Sequence, residues 1–344
     1  MARNADPGAP QETVTLAMVA EAAGVSPSTV SRILTGHARV SDAKRKSVEE
    51  AIARLDYQPN VLARGLAQGR TLSIGVLSQD IDSPFYGQAL RGIEDALAGT
   101  GMVPLFVSGH WNVQDETDRM THLLSRRVDG IVVLTGRLTD EQIREYARRV
   151  PIVVTGRNLK GHNIASMRVD NFKGAHRATR HLIELGHKRI AHIAGPQDQS
   201  DSVERLKGYR AALEEAGLAF DSKLVAYADF HEPSGVLAIN QLLEARQSFS
   251  AVFACNDQTA YGARLALYQR NIRVPEEVSL IGFDDLPGSR FTIPPLSTIH
   301  QPVYELGQTA ARVLLKMIEG GRSRVTLPEP QLVARESTRR REAR

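Results

Sequence analysis

Seven short runs rich in Val, Ile and Leu recur between Leu72 and Asp285 with amphipathic stretches between them, and this alternation restricts the chain more than any other feature. The runs read LSIGVLS, MVPLFVS, DGIVVLT, PIVVTG, RIAHIAG, SAVFACND and VSLIGFDD. Strands that are apolar throughout are covered on both faces, and strands separated by helices pair in parallel. The stretches Gln88 to Ala98, Glu116 to Arg126, Gly174 to Leu185, Ser202 to Ala216 and Pro233 to Arg246 supply the helices. The expectation is an α/β core of doubly wound sheets, in which a ligand binds at the carboxyl ends of the strands.

Polar and aromatic side chains collect at those ends. Asp82, Ser83, Pro84, Phe85 and Tyr86 follow the first run, His110 and Trp111 the second, Arg137 the third, and Arg157 and Asn158 the fourth. In the second half come Asp198, Ser202 and Arg205, then Asn256 and Asp257, then Asp284 and Asp285. Rings that stack on an apolar face, beside Arg, Asn and Asp that pair hydroxyls or heteroatoms, suit a small polar ligand. No Walker loop or GxGxxG follows any strand, so nucleotide phosphate binding of those kinds is not supported.

The first seventy residues have another character. Thr15 can cap a helix carrying Leu16, Val19, Ala20 and Ala23; Gly24 permits a sharp turn; Ser26 and Pro27 are a good N-cap and first helical residue for a second helix. Val30, Ile33 and Leu34 give that helix one apolar side, and Ser28, Thr29, Ser31 and Arg32 the other, a composition fit for phosphates and base edges. An ordinary helical hairpin with a polar face fits the same pattern. Ser41 can cap a third helix, with Val48, Ile52 and Leu55 facing Leu16, Val19, Val30 and Ile33. Residues 1–13 have Pro and Gly but no periodicity and read as a disordered lead-in. Asn60 could start a two-turn helix with Leu62 and Leu66 on one side, but Gly65 costs about 1 kcal/mol there, so the segment is either conditionally helical or a plain linker.

Composition narrows the function classes. At 344 residues the chain exceeds one typical domain, and 42% hydrophobic residues support a sizeable core. No signal-like segment or apolar run of membrane-spanning length occurs, so a soluble, cytoplasmic protein is expected, with no membrane partner. The one cysteine, Cys255, excludes an internal disulfide and a Cys-based zinc site. His176, His181, His187 and His192 lack the spacing of paired ligands on a helix face and read as helix-end or surface residues; no metal or cofactor is expected. Residues 1–69 hold eight basic and seven acidic residues, so bulk charge does not argue for DNA. Distribution does: Arg32, Arg39, Lys44, Arg45 and Lys46 stand against Asp42 alone between Ala22 and Val48.

Three ordered motifs, VTLAMVAEAAGVSPSTVSRILTG, YQPNVLARGLA and GFDDLPGSRFTIPPLSTIHQPVYELGQTAARVLL, resemble the LacI-type bacterial transcriptional repressors from about Val14 to Thr338. The resemblance implies a helix-turn-helix headpiece over 14–58, a hinge helix or linker over 59–70, and a two-lobed core over 71–338 like that of periplasmic sugar-binding proteins. A basic tail over 339–344 follows and reads as a solvated charge run. It implies a homodimer on a near-palindromic double-stranded operator, controlled by a small-molecule effector. By position, Pro27, Ser28 and Arg32 fall on the base-reading side; Thr15, Ser26, Ser31 and Asn60 on phosphates; and Leu66 at the minor groove. Many relatives carry a polar or aromatic residue where Pro27 stands, so direct readout leans on Ser28, Thr29 and Arg32. In the core, Arg205, Asn256 and Asp284 match effector-holding positions, with Phe85 and Tyr86 covering the ligand from the other lobe and Trp111 nearby. A salt bridge pinning the lobes is the structural alternative for Arg205 and Asp284. The missing C-terminal leucine heptad favours a dimer over a tetramer.

Two other functions fit parts of the chain. The core alone would serve a small-molecule carrier or periplasmic receptor. Asp284 and Asp285 could be a glycosidase pair, but adjacent residues at a strand end point to opposite faces and are poorly placed to flank one bond, so no catalytic residue is expected.

Overall fold

The computed structural model describes residues 14–34, 40–57, 70–321 and 326–341. The chain divides into two compact units, Met1–Thr71 and Leu72–Arg344.

The first unit holds α1 (Leu16–Ala22), α2 (Pro27–Leu34) and α3 (Asp42–Leu55). Val19, Val30 and Val48 are buried at its centre with Ala20, Ala51 and Tyr57; Leu16, Ile33, Ile52 and Leu55 pack around them, partly exposed. Gly24 takes φ +66° at the turn after α1, a conformation that glycine enters without penalty. Ser47 Oγ and an Arg54 Nη donate to the carbonyls of Ala23 and Ala22, so α3 closes the C-terminal end of α1. Ser41 stands at the N-cap of α3, yet its side chain makes no capping bond.

The second unit has two lobes. In the first, β1 (Ser73–Ser78), β2 (Val103–Ser108), β3 (Gly130–Val133), β4 (Ile152–Thr155) and β5 (Ile164–Met167) form a parallel sheet in the order β2-β1-β3-β4-β5. In the second, β6 (Ile190–Ala194), β7 (Val225–Tyr227), β8 (Ala251–Ala254) and β9 (Ser279–Ile281) form another, β7-β6-β8-β9. Both are doubly wound, as the apolar runs require. Val132 and Val153 face α4 (Pro84–Leu97), while Ile131, Val133, Ile152 and Val154 face α5 (Val113–Ser125) and α6 (Asp140–Ala147). In the second lobe, Val252 and Leu280 face α9 (Glu232–Glu244) and α10 (Asp257–Gln269), and Phe253 and Ile281 face α7 (Asn171–Glu184) and α8 (Ser200–Glu215).

The chain passes between the lobes three times. It leaves the first lobe after β5 and completes β6 to β9 and β10 (Thr298–His300). It then returns as α11 (Val303–Ile318), whose Leu306, Val313 and Leu314 join the core of Ile74 and Val76. Finally β11 (Gln331–Val333) pairs antiparallel with β10. Helices α4 and α11 touch backbone to backbone: a Cβ on Gly92 would lie 2.1 Å from the Tyr304 carbonyl oxygen, and one on Gly307 2.1 Å from that of Ala89.

Two expectations differ. Arg339 and Arg341 are part of the second lobe and not a solvated run: the Arg341 N–H donates to the Leu185 carbonyl, the Arg339 N–H to Ser279 Oγ, and an Arg341 Nη to Ser250 Oγ. His192 is neither a helix-end nor a surface residue. It lies inside β6, stacked on Phe253 and Tyr209 at 4.7 and 4.9 Å, where burial lowers it to about 4.

Candidate DNA-reading face and ligand cleft

The headpiece presents the predicted face. Thr15 caps α1, its Oγ1 accepting the Met18 N–H at 3.4 Å, and Ser26 Oγ accepts the Thr29 N–H at 3.3 Å. Pro27 opens α2, and Pro27, Ser28, Ser31 and Arg32 are exposed, with Thr29 partly so. Arg32 lies back along the helix, its Nε donating to the Ser28 carbonyl at 3.3 Å. It stands one turn after Ser28, so both reach one groove-sized strip. Asn60 and Leu66 lie outside the described residues.

In the core, β1 and β3, and likewise β6 and β8, are neighbours whose following connections leave in opposite directions. Such switch points open a crevice at the strand ends. The two crevices face each other across a cleft of about 590 Å³. All six residues named from the sequence line it: Phe85, Tyr86 and Trp111 from the first lobe, Arg205, Asn256 and Asp284 from the second.

The first-lobe wall is aromatic. Phe85 and Tyr86 meet edge to face at 5.3 Å, and Tyr86 lies 6.4 Å from Trp111. Trp111 is fixed by its backbone N–H on Gln79 Oε1 at 2.8 Å and its indole N–H on Asp80 Oδ2 at 3.1 Å. Burial, followed by the field of Asp201, holds the Tyr86 hydroxyl well above its ordinary range.

The second-lobe wall is polar and much of it is already bonded. Arg205, 4% exposed, donates from Nε to Asn171 Oδ1 at 2.9 Å and from Nη1 to the Cys255 carbonyl at 2.5 Å. Its Nη2 lies 3.8 Å from Asp284, and its guanidinium sits 4.0 Å over the Phe283 ring. Both partners of this ion pair belong to the second lobe, so it does not pin the lobes together. Ties between lobes lie elsewhere: Arg137 to Asp198 at 2.7 Å, Ser200 Oγ to the Gly156 carbonyl at 3.0 Å, and Ser83 Oγ to Gln258 Oε1 at 3.4 Å. Asn256 caps α10, accepting the Thr259 N–H at 2.9 Å, and donates to the Phe230 carbonyl at 2.9 Å, which sets the ring of Phe230 on the cleft.

Asp284 adopts φ +112°, where a residue with a Cβ is strained by roughly 1–3 kcal/mol. The Asp284 N–H on the Ile299 carbonyl at 2.8 Å and the Gln301 amide on Oδ1 at 2.6 Å hold it there. Burial pushes its carboxyl up to about 6, against the pull of Arg205 and Gln301. Asp285 turns away from the cleft to Arg335 at 2.6 Å and His300 at 3.1 Å. Asp257 is buried beneath it, accepting from Ser289, Thr298 and the Leu286 N–H, and its carboxyl rises to about 8, burial being the main cause. Cys255 is a buried thiol pushed up to about 11 by burial.

Sequence reasoning left out Asp80, Thr135, Gln199, Asp201, Phe230, His231 and Gln258, which also line the cleft, as does Ser83, noted only as a strand-end residue. Asp201, in the first turn of α8, is raised by burial against the opposing fields of Arg205 and Arg168. Asp80, Ser83 and Thr135 stand at or just after a run that a strand-end rule would flag. No described helix is long and apolar enough to cross a membrane, and no described group of His, Cys, Asp and Glu could hold a metal ion.

A helix-turn-helix unit followed by a two-lobed core with a cleft between parallel sheets defines the class of DNA-binding regulators built on a periplasmic-binding-protein fold. Residues 15–60 match the model for bacterial regulatory proteins of the lacI family, and residues 71–336 that for periplasmic binding proteins and the sugar-binding domain of the LacI family. The chain is 36% identical to the HTH-type transcriptional regulator GalR of Escherichia coli K12, over 94% of this chain and 95% of that one. It is 38% identical to the HTH-type transcriptional regulator CelR of Thermobifida fusca, over 94% and 98%. A lac repressor dimer bound to operator and the anti-inducer ONPF superposes with a TM-score of 0.84 at 29% identity, covering 95% of this chain and all of that one. A CelR–cellobiose complex gives 0.71 at 36%, over 94% and 99%. The chain belongs to the LacI family of bacterial transcriptional regulators.

Proposed function

We propose that the chain is a repressor that binds a near-palindromic operator as a homodimer, and that a sugar or sugar derivative in the cleft sets its operator affinity. The observation that carries this reading is the convergence of three aromatic rings from one lobe with Arg205, Asn256 and Asp284 from the other on one cleft, in a chain that also carries a DNA-reading helix. A ligand gripped by both lobes favours one lobe angle, and linkage then requires an equal effect on DNA affinity, typically ~1–3 kcal/mol. The hinge roles of Asn60 and Leu66 are part of the same proposal, with Leu66 wedged into the minor groove. Resemblance to the CelR–cellobiose complex and to the operator-bound lac repressor dimer supports it.

Dimerisation has a surface to use. Leu265 and Tyr268 are exposed on α10, beside the loop bearing Phe291 and Ile293, which are 78% and 85% exposed; Arg264 Nη1 on the Pro294 carbonyl ties helix and loop together. A second copy of the chain is the occupant proposed for this apolar patch. Tyr268→Asp should yield monomers by sedimentation and weaken operator binding. An unchanged dimer would remove the patch from the interface.

A carrier role is disfavoured by the headpiece, and the suggested carboxylate pair does not form because Asp285 is committed to Arg335 and His300. The decisive experiment selects an operator from random duplexes with the full-length protein, then titrates sugars against that complex by fluorescence anisotropy. Asp284→Asn, which suits the positive φ, should abolish the sugar response and keep operator binding; a retained dose curve would exclude Asp284 from the site. Arg32→Ala should cost ~1–3 kcal/mol on the selected duplex and less on random DNA. Equal losses on both would make Arg32 a phosphate contact.

A further inference from the structure

The charges of the cleft do not balance. Among the described residues its lining has three carboxylates, Asp80, Asp201 and Asp284, and one permanent cation, Arg205. Arg205 already faces Asn171, the Cys255 carbonyl and Asp284 from three of its nitrogens. Asp80 holds the Trp111 indole, and Asp284 receives the Gln301 amide. Asp201 differs: among the described residues no donor reaches its carboxylate, and only the fields of Arg205, Arg168 and Glu204 act on it across space. It lines the main cleft and also two smaller hollows, of about 380 and 310 Å³.

We propose that Asp201 sets the charge class of the effector: its unpartnered carboxylate accepts hydrogen bonds from the hydroxyls of a neutral sugar and repels sugar phosphates and sugar acids. This rests on the cleft being the effector site. An ionised carboxylate is an acceptor only, so it is satisfied by hydroxyl donors and not by an ionised phosphate or carboxylate group, which offers acceptors and a like charge. The aromatic faces opposite, Phe85 and Trp111, suit the C–H faces of a pyranose ring. An anionic group placed ~5 Å from Asp201, at an effective dielectric of ~20, would be disfavoured on the order of 100-fold. Arg205 is too committed within its own lobe to offset that repulsion. His231 is the other basic side chain among the described residues of the lining.

The test is calorimetric titration of the full-length protein at pH 8 with glucose, glucosamine, glucose 6-phosphate and glucuronate, the matching galactose series, and cellobiose. At least one neutral sugar should bind, with its phosphate and acid forms weaker by roughly 100-fold. Asp201→Asn and Asp201→Ser, which remove the charge and no bond of the fold, should each shrink that gap by about tenfold or more. A phosphate or acid form that binds as tightly as its neutral parent overturns the proposal. An amino sugar that binds tighter than its parent in the wild type and loses that advantage in the variants supports it, whereas a gap unchanged in both variants, or a panel in which no neutral sugar binds, overturns it. A neutral sugar that shows the discrimination but leaves operator affinity unchanged overturns the regulatory reading and leaves this one standing.

Discussion

The two lobes share one topology and contribute opposite walls to the cleft. The first offers rings, Trp111 held by two hydrogen bonds and Phe85 and Tyr86 by packing. The second offers charges and amides whose bonds also build the lobe: Arg205 ties α8 to the end of β8, Asn256 caps α10, and Asp284 anchors the strained turn after β9. On the proposed function, the exposed part of the aromatic wall, Trp111 above all, serves binding more than the fold, while the polar wall would carry binding and stability in the same atoms.

Arg205→Ala should break that comparison most severely. It leaves Asp284 as a buried, uncompensated charge and strips the Cys255 carbonyl, so a loss of roughly 3–5 kcal/mol in urea unfolding is expected, together with loss of ligand binding. Unchanged stability would mean that the polar wall is not structural. Trp111→Ala, on the opposite wall, should weaken ligand binding by about 10- to 100-fold, the size of one lost stacking surface, with little change in the unfolding midpoint. A drop in stability as large as that of Arg205→Ala would erase the distinction.

The pH dependence sharpens it further. Asp257, behind the polar wall, has its folded value raised to about 8, so the folded state takes up a proton that the unfolded state releases near pH 4. The stabilisation it gives is full below that unfolded value and is lost as pH rises through about 8, at up to roughly 1.4 kcal/mol per pH unit. Melting temperature should fall between pH 6 and pH 8, and Asp257→Asn should flatten that slope; an equal slope in the variant would assign it elsewhere. The smallest effect belongs to the tie between lobes. Arg137 and Asp198 are both substantially exposed, and a double-mutant cycle on stability should give about 0.2–1 kcal/mol. A coupling several times larger would make the pair a principal determinant of the lobe angle.

What the sequence disclosed follows the same division. Strands buried on both faces carry unbroken Val, Ile and Leu runs, and each such run is a strand. Two of the four edge strands of the parallel sheets, β5, IASM, and β7, VAY, are partly exposed, only three or four residues long and poor in Val, Ile and Leu, so no run marks them. Helix α11 belongs to a lobe that the chain left more than a hundred residues earlier, and local pattern does not assign it there. In the cleft, Phe85, Trp111, Asn256 and Asp284 follow strand ends directly and are legible. Asp201 and Gln258 sit inside the first turns of helices, and Phe230 follows the faint β7, so each looks like an ordinary surface residue until the fold is closed. The roles of Arg205 and Asn256 were legible only in part, because their bonds run to carbonyls, which every residue carries.

The late return of α11 bears on how the protein is made. Synthesis proceeds from the N-terminus, and domains ordinarily fold as they emerge from the ribosome. Here α4, complete at Leu97, must wait for Gly307 before its glycine face meets its partner helix, and β10 must wait for Gln331. Both lobes thus remain unfinished, with apolar helix faces exposed, until the last tenth of the chain has been translated, and they are completed almost together. A nascent chain halted at Gln301 should be readily proteolysed in both lobes, whereas the headpiece, whose buried core of Val19, Val30, Val48 and Tyr57 is complete by residue 57, should already resist.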